Sequence, residues 1–279
     1  MTGSVRPLHV HAIRTGAELR RRLDDVLRER PEWERWVRLY EIVLDATDDP
    51  AWDQITAATE LAPSRDVNAP LLRGATIPLP REPVDGLLRR LLAAAELVVD
   101  PIDVAVLIDS AINQDDSLDA ATATVAQLAV MPLLQAMKRR YGPAVAEWTA
   151  GYCPVCGAWP ALVEQSGLER EWHLRCGRCG ADWVGVPHRC VYCGEDDHDR
   201  LGSLYADEAG EARRVETSET CRGYVKVMAA LRPTPAAELP LNDLAMVELE
   251  LAALERDYRR PGAAFELGVL VRLESGGSA

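Results

Sequence analysis

Seven cysteines fall within one 69-residue stretch, and six of them form CxxC pairs: Cys153-Cys156, Cys176-Cys179 and Cys190-Cys193, followed by a lone Cys221. The other 210 residues contain none. A CxxC turn aims two sulfurs at one point, and a following glycine lets backbone amides approach the thiolates closely. Two such turns facing each other build a tetrahedral four-sulfur cage for zinc or iron. The chain must therefore fold so that distant knuckles meet. Nineteen residues separate Cys156 from Cys176, enough for one β-hairpin, the construction of zinc ribbons and rubredoxin.

Two metal centres are expected, each holding one tetrahedral ion, zinc or iron. The first draws on Cys153, Cys156, Cys176 and Cys179. The second draws on Cys190, Cys193 and Cys221, with 27 residues between Cys193 and Cys221. Its fourth ligand is left among His198, His188, Asp199 and water, with His198, five residues after Cys193, taken as the candidate. A disulfide framework is the competing reading; in a reducing compartment, paired cysteines favour metal. Nucleophilic catalysis by these sulfurs is unattractive, because a ligated thiolate is not free to attack. No GxGxxG, Walker, GxSxG or HExxH motif occurs, so no catalytic residue is assigned.

Net charge is −13, and from 151 to 200 five basic residues stand against eight acidic ones, a net of −3. Phosphate binding needs cations. A zinc ribbon reading nucleic acid or a polymerase is thus the weakest function for this segment. Met1 to Ala17 lacks the apolar core of a signal peptide. The longest uncharged run, ending at Met137, contains Gln127, Pro132 and Gln135 and falls short of the ~20 residues of a membrane span. A cytoplasmic chain without stable membrane insertion is expected.

The pattern predicts an α+β protein. Residues 1–150 read as a helical region, 151–228 as tandem rubredoxin-like or zinc-ribbon modules, and 229–279 as a C-terminal helical segment and tail. Stripes at Leu19, Leu23, Val26, Leu27 and at Trp33, Trp36, Val37, Tyr40, Val43, Leu44 predict two helices, the second opened by Pro31. Pro63 to Pro83, with five prolines, reads as a loop or extended surface arm. Leu87 to Ala95 restarts the helical period, and Pro101 opens a helix through Ile112. The next helix is expected from Ser117 to Tyr141, capped by Asp116, stopped by Gly142 and kinked or broken at Pro132. Two hairpins are predicted: Ala158–Gln165 with Glu169–Arg175, and Leu201–Ala206 with Ala212–Ser218. Trp159, Trp172 and Trp183 should pack the small core around the knuckles. From Pro240 a helix returns, with Leu244, Val247, Leu251 and Leu254 facing one way, before a solvated tail, Ser275 to Ala279.

In order, Cys153-Pro-Val-Cys156-Gly-Ala-Trp-Pro160, Leu174-Arg-Cys176-Gly-Arg-Cys179-Gly-Ala-Asp-Trp183, Arg189-Cys190-Val-Tyr-Cys193-Gly and Glu219-Thr-Cys221-Arg-Gly-Tyr-Val-Lys226 resemble the FdhE family of formate dehydrogenase accessory proteins. The family pattern is similar to CPVCGxxP, HCxxCxxxW, KCxxC and ETCxxCxxYLK. The likeness continues in Leu241-Asn-Asp-Leu244-Ala and Tyr258-Arg-Arg, and more weakly in Arg20 to Asp53 and Ala69-Pro-Leu-Leu72. The resemblance implies a cytoplasmic maturation factor, not an enzyme, that binds the catalytic subunit of a formate dehydrogenase and assists its assembly or activation. It also implies a helical region joined to a pair of rubredoxin-like modules, iron as the metal in some members, and a capacity to form a homodimer. The fourth motif departs from the pattern: Glu219-Thr-Cys221-Arg-Gly-Tyr224 carries one cysteine where the family has two, and reads as if the residues between had been deleted. From another class, an iron-holding rubredoxin-like redox carrier or sensor is the alternative.

Overall fold

A computed structural model describes residues 16–63, 66–99, 103–142, 148–205 and 212–274. The fold is α+β, as the sequence predicts. Helices α1 (Gly16–Glu29), α2 (Glu34–Thr47) and α3 (Ala51–Ala58) lead to strand β1 (Thr76–Pro80). Then come α4 (Arg81–Ala95), α5 (Val104–Asn113) and α6 (Ala120–Tyr141). Leu19 and Leu23 of α1, and Val37, Tyr40 and Val43 of α2, are buried along the expected stripes. Pro31 opens a short 3-10 turn, Pro31–Trp33, that runs into α2.

The central helix is α6, packed against α2, α3, α4 and α5. Its cap is Asp119, whose carboxylate accepts from the Ala121 and Thr122 amides at 3.1 Å each. This corrects the expected start at Ser117 under Asp116: Asp115 instead accepts from the Ser117 amide and turns the chain ahead of the helix. Pro132 does not break the helix, which runs for 22 residues with the proline inside it. By length and composition α6 could cross a membrane, yet 61% of its most apolar stretch is buried inside the fold. The opening of α5 at Pro101 lies outside the described residues, and Asp103 caps the helix through the Val106 amide at 3.2 Å.

The proline-rich segment is not a surface arm. Leu71, Leu72, Ile77 and Leu79 are buried, while the prolines of Thr76-Ile-Pro-Leu-Pro80 alternate with them on the opposite face. This strand pairs in parallel with β8 (Leu270–Glu274), a two-stranded sheet in which proline costs no ladder bond that an edge needs. The chain's C-terminal part thus returns to the helical body, where the sequence predicted only helix and tail; Ser275 to Ala279 lie outside the described residues.

The cysteine region forms one six-stranded sheet in the order β4-β3-β2-β7-β6-β5. Strands β2 (Leu162–Ser166) and β3 (Glu171–Arg175) make the first predicted hairpin, extended by β4 (Asp182–Val184). Strands β5 (Leu201–Tyr205) and β6 (Arg213–Ser218) make the second, whose turn is outside the described residues, and β7 (Tyr224–Ala230) follows. The two halves join through a parallel β2–β7 seam, Leu162 opposite Lys226 through Ser166 opposite Ala230. Two modules therefore share one sheet.

Helices α7 (Leu239–Leu244) and α8 (Val247–Glu255) cover that sheet. The buried face is Met246, Leu249 and Ala253, not the predicted Leu244, Val247, Leu251 and Leu254; Leu251 is 53% exposed. The break between the two short helices rephases the stripe. Polar groups fix the docking. Lys226, 1% exposed, donates to Asp243 Oδ1 at 2.9 Å and pairs with Glu250 Oε2 at 2.7 Å. Arg260 reaches the same Asp243 Oδ1 at 3.1 Å. A buried charge is stable only when paired in this way.

Candidate metal centres

Each knuckle is a six-residue loop with the same backbone bonds. The amide of its first cysteine donates to the carbonyl five residues on: Cys153 to Ala158 at 2.7 Å, Cys176 to Ala181 at 2.9 Å, Cys190 to Glu195 at 2.8 Å. The residue after the second cysteine takes a left-handed conformation, Gly157 at φ +65°, Gly180 at +71° and Gly194 at +77°. Its amide closes back on the first cysteine's carbonyl at 3.0 Å in all three. Glycine adopts that φ without a Cβ penalty, which is why CxxCG recurs.

The first centre brings Cys153, Cys156, Cys176 and Cys179 together, with all four sulfurs within 4.8 Å of one another and buried. Sulfurs pair across the two loops, Cys153 with Cys179 and Cys156 with Cys176, each at 3.5 Å. A regular tetrahedron with metal–sulfur bonds of about 2.3 Å has edges of about 3.8 Å. A disulfide needs about 2.05 Å, so the disulfide framework is not the arrangement seen. The Val155 amide points at Cys153 Sγ at 3.4 Å and the Cys179 amide at Cys176 Sγ at 3.5 Å, the second coordination layer of such a cage.

The electrostatics also fit an ion. Burial pushes the Cys153 and Cys179 thiols well up, whereas hydrogen bonds from Cys153, Cys176 and Cys179 hold the Cys156 thiol well down. Four buried sulfurs without a central cation cannot all ionise. A divalent metal bound here would supply the missing charge, and four thiolates would suit zinc or iron.

This centre is built into the helical body. The Leu71 and Leu72 amides donate to Pro154 and Val155 carbonyls at 2.8 and 3.1 Å, and Gln114 Nε2 donates to the Cys156 carbonyl at 3.3 Å. A Cβ on Gly157 would press on Pro70, Phe265 and Leu267 at 3.2 Å. Trp172 and Trp183 are buried over the hairpin, and Trp183 Nε1 donates to the Ala150 carbonyl at 3.2 Å. Their role is packing, as the sequence predicts.

The second centre brings Cys190, Cys193 and Cys221 within the same 4.8 Å, but half-buried to exposed. Cys190 and Cys221 sulfurs lie 3.7 Å apart. Burial raises the Cys190 thiol to about 11; at Cys193 burial also pushes upward, but the Glu195 amide and the Ser218 hydroxyl outweigh it and lower that thiol. His198 does not join. Among the described residues neither histidine nor a carboxylate completes the group. The His198 side chain is 93% exposed with its nearest charged partner at Asp199, 3.4 Å away, because Asp197 caps a short turn, His198–Arg200, that carries the ring outward. His188 and His198 instead line a cleft of about 260 Å³ beside Cys190, with Tyr192, Glu216 and Val225.

Nor is the fourth loop shortened. The Ser218 amide donates to the Gly223 carbonyl at 3.0 Å, again five residues on, and Arg222 after Cys221 has φ +54°. Ser218-Glu-Thr-Cys221-Arg-Gly223 keeps the knuckle's length, its first backbone bond and its left-handed fifth residue, with serine in the first cysteine's place. The expected deletion is overturned. Its origin is a repeated dipeptide: Glu216-Thr217 precedes Ser218 as Glu219-Thr220 precedes Cys221, and only the first register keeps the spacing to Tyr224 and Lys226.

The two centres touch. A Cβ on Gly151 would stand 1.9 Å from the Val191 carbonyl, and Trp159 meets Tyr192 edge-on with centroids 4.9 Å apart. Tyr192 then donates to the Tyr224 carbonyl at 2.7 Å, on β7.

A chain with a helical body and two knuckle-built cysteine centres on a shared sheet is the class defined so far, and comparison with known proteins sharpens it. The FdhE homologue of Aquifex aeolicus is 33% identical over 114 residues, 40% of this chain and 40% of that protein. The FdhE homologue of Haemophilus influenzae is 33% identical over 113 residues, covering 40% of this chain and 36% of its own. The aligned stretch thus spans about two fifths of these relatives' length. No family model matches the chain. The crystal structure of the FdhE protein from Pseudomonas aeruginosa superposes with a TM-score of 0.58 and 22% identity over 89% of this chain and 95% of that one, which shows a shared fold. Over the aligned stretch the chain is thus similar to FdhE homologues, and its fold is that of the FdhE protein.

Proposed function

We propose that this chain is a cytoplasmic accessory factor, not itself an enzyme, that binds the catalytic subunit of a formate dehydrogenase and assists its assembly or activation. The observation that carries it is the FdhE-like set of knuckles together with the residues around them. Lys226, from the segment of the fourth knuckle, and Asp243 and Arg260, from the two later segments that share the resemblance, meet in one ion-pair network around the buried Lys226 ammonium. The metals then act as structure. A site whose four tetrahedral positions are all protein sulfurs keeps none open for a substrate. Cys153, Cys156, Cys176 and Cys179 would hold the first ion, and Cys190, Cys193 and Cys221 the second; each ion would supply the charge that lets the thiols ionise.

The test is co-purification of the full chain with formate dehydrogenase catalytic subunits, cysteine- and selenocysteine-containing. Retention of at least one is the expected result, and no retention of any removes the reading. Neither the proline-rich segment nor the long helix before the cysteines suits the role of client face: Leu71 and Leu72 are buried in the body, and α6 is its core helix. A second reading, a rubredoxin-like redox carrier, is favoured only by the four-sulfur geometry of the first centre. It requires a visible absorption band that bleaches with reductant, and a colourless protein holding only zinc excludes it.

A further inference from the structure

We propose that the Ser218 hydroxyl is the fourth ligand of the second centre, so that this chain pairs a centre of four cysteines with a centre of three cysteines and one serine that holds its ion less tightly. The inference rests on reading Cys190, Cys193 and Cys221 as a metal centre. In the first centre the sulfurs pair crosswise: first cysteine of one loop with second of the other, and the reverse. The second centre repeats that crossing. Cys190, first in its loop, faces Cys221, second in the other, at 3.7 Å; Cys193, second in its loop, faces Ser218, first in the other, at 3.6 Å. A tetrahedral ion with bonds of about 2.3 Å to sulfur and 2.0 Å to oxygen sets those two atoms about 3.5 Å apart.

Ser218 is held for that position. It is 1% exposed, its amide is fixed by the knuckle bond to Gly223, and it closes strand β6 opposite Leu201. A Cβ on Gly223 would meet Cys221 Sγ at 3.0 Å and the Tyr192 ring at 2.7 Å, so the loop is packed tightly round the ligand set. A hydroxyl contributes a harder and, when neutral, uncharged donor in place of a thiolate. Oxygen donors are accepted by zinc but are unlike the all-sulfur surroundings that rubredoxin-type iron prefers. Two of the three sulfurs are also open to water and competing chelators.

The experiment titrates the full-length protein with cobalt(II) after a mild chelator has removed the second ion, one retained ion per chain being verified by metal analysis. The wild type should bind one cobalt with the charge-transfer intensity of three thiolates. Ser218→Cys should raise that intensity by about a third and tighten binding at least tenfold, while Ser218→Ala should shift the d–d bands and weaken binding about tenfold or more, the scale of losses at metal-site partners. His198→Ala should change neither. An unchanged Ser218→Ala spectrum and affinity, or a loss on His198→Ala, overturns the serine ligand while leaving the metal centre standing. If Ser218→Ala does not fold, the added thiolate band of Ser218→Cys decides alone, and its absence is fatal. Failure of every variant, wild type included, to bind cobalt at the emptied cluster overturns both readings.

Discussion

The two cysteine centres are built from the same loop, yet they sit in the molecule differently. At the first, four sulfurs are buried, two tryptophans cover the hairpin, and the residue 71–72 backbone bonds to the knuckle itself. At the second, one ligand position is serine, two cysteines are exposed, and an open cleft lies alongside. The loop only fixes where sulfurs point. What surrounds the loop decides whether the ion is a keystone or an accessory. An ion in the first centre neutralises thiols that cannot return to water without opening the core, so its loss and unfolding are one event. An ion in the second can leave through the surface while β5, β6 and β7 keep their ladder and the buried Val215, Tyr224 and Met228 beneath them.

That contrast is broken most severely by Cys176→Ala. Structural zinc contributes roughly 10 kcal/mol to small domains it organises, comparable to the whole stability of a protein. The variant should lose the first ion and fail to unfold cooperatively, measured by thermal circular dichroism with metal analysis; a melt within a few degrees of wild type would make the two centres equivalent. Lys226→Met comes next. It strips the buried cation from Asp243 and Glu250, which should cost about 3–5 kcal/mol in urea unfolding. Because β7 is the strand on which the two halves meet, this loss should reach both; normal stability would mean the helices dock by apolar contact alone. Cys221→Ala should empty the second centre and lower stability by only about 1–2 kcal/mol, within the ordinary range for a point change. The same difference should appear without mutation. After mild chelation, iodoacetamide should label Cys190, Cys193 and Cys221 and spare the other four, as read by peptide mass spectrometry.

Much of this was legible in the sequence because knuckles are local. Spacing and glycine alone place Cys153, Cys156, Cys176 and Cys179, and the apolar stripes of α1 and α2 fall where the period puts them. What was hidden depends on long-range pairing. The Pro63 to Pro83 segment has the composition of a surface loop, but its Leu71, Leu72, Ile77 and Leu79 are claimed by the core and its backbone by β8, about 190 residues away. The stripe after Pro240 was misphased because the chain breaks between α7 and α8, where no proline or glycine marks the join. Ser218 was missed because a serine carries no ligand signal of its own. The spacing to Tyr224 and Lys226, together with the bond to Gly223, distinguishes the true fourth knuckle from its Glu-Thr echo.

The smallest change tests whether the two centres communicate. Tyr192 belongs to the third knuckle, lies edge-on to Trp159 of the first, and donates its hydroxyl to the Tyr224 carbonyl on β7. Tyr192→Phe keeps the ring contact and removes only that bond, leaving a carbonyl without its partner. A typical net loss is about 1 kcal/mol. If the second centre is an accessory seated on a rigid sheet, that cost should appear as a faster release of its ion to a chelator, with the first ion's release unchanged. If instead both ions leave faster together, the Trp159–Tyr192 contact couples the centres, and the distinction between keystone and accessory fails.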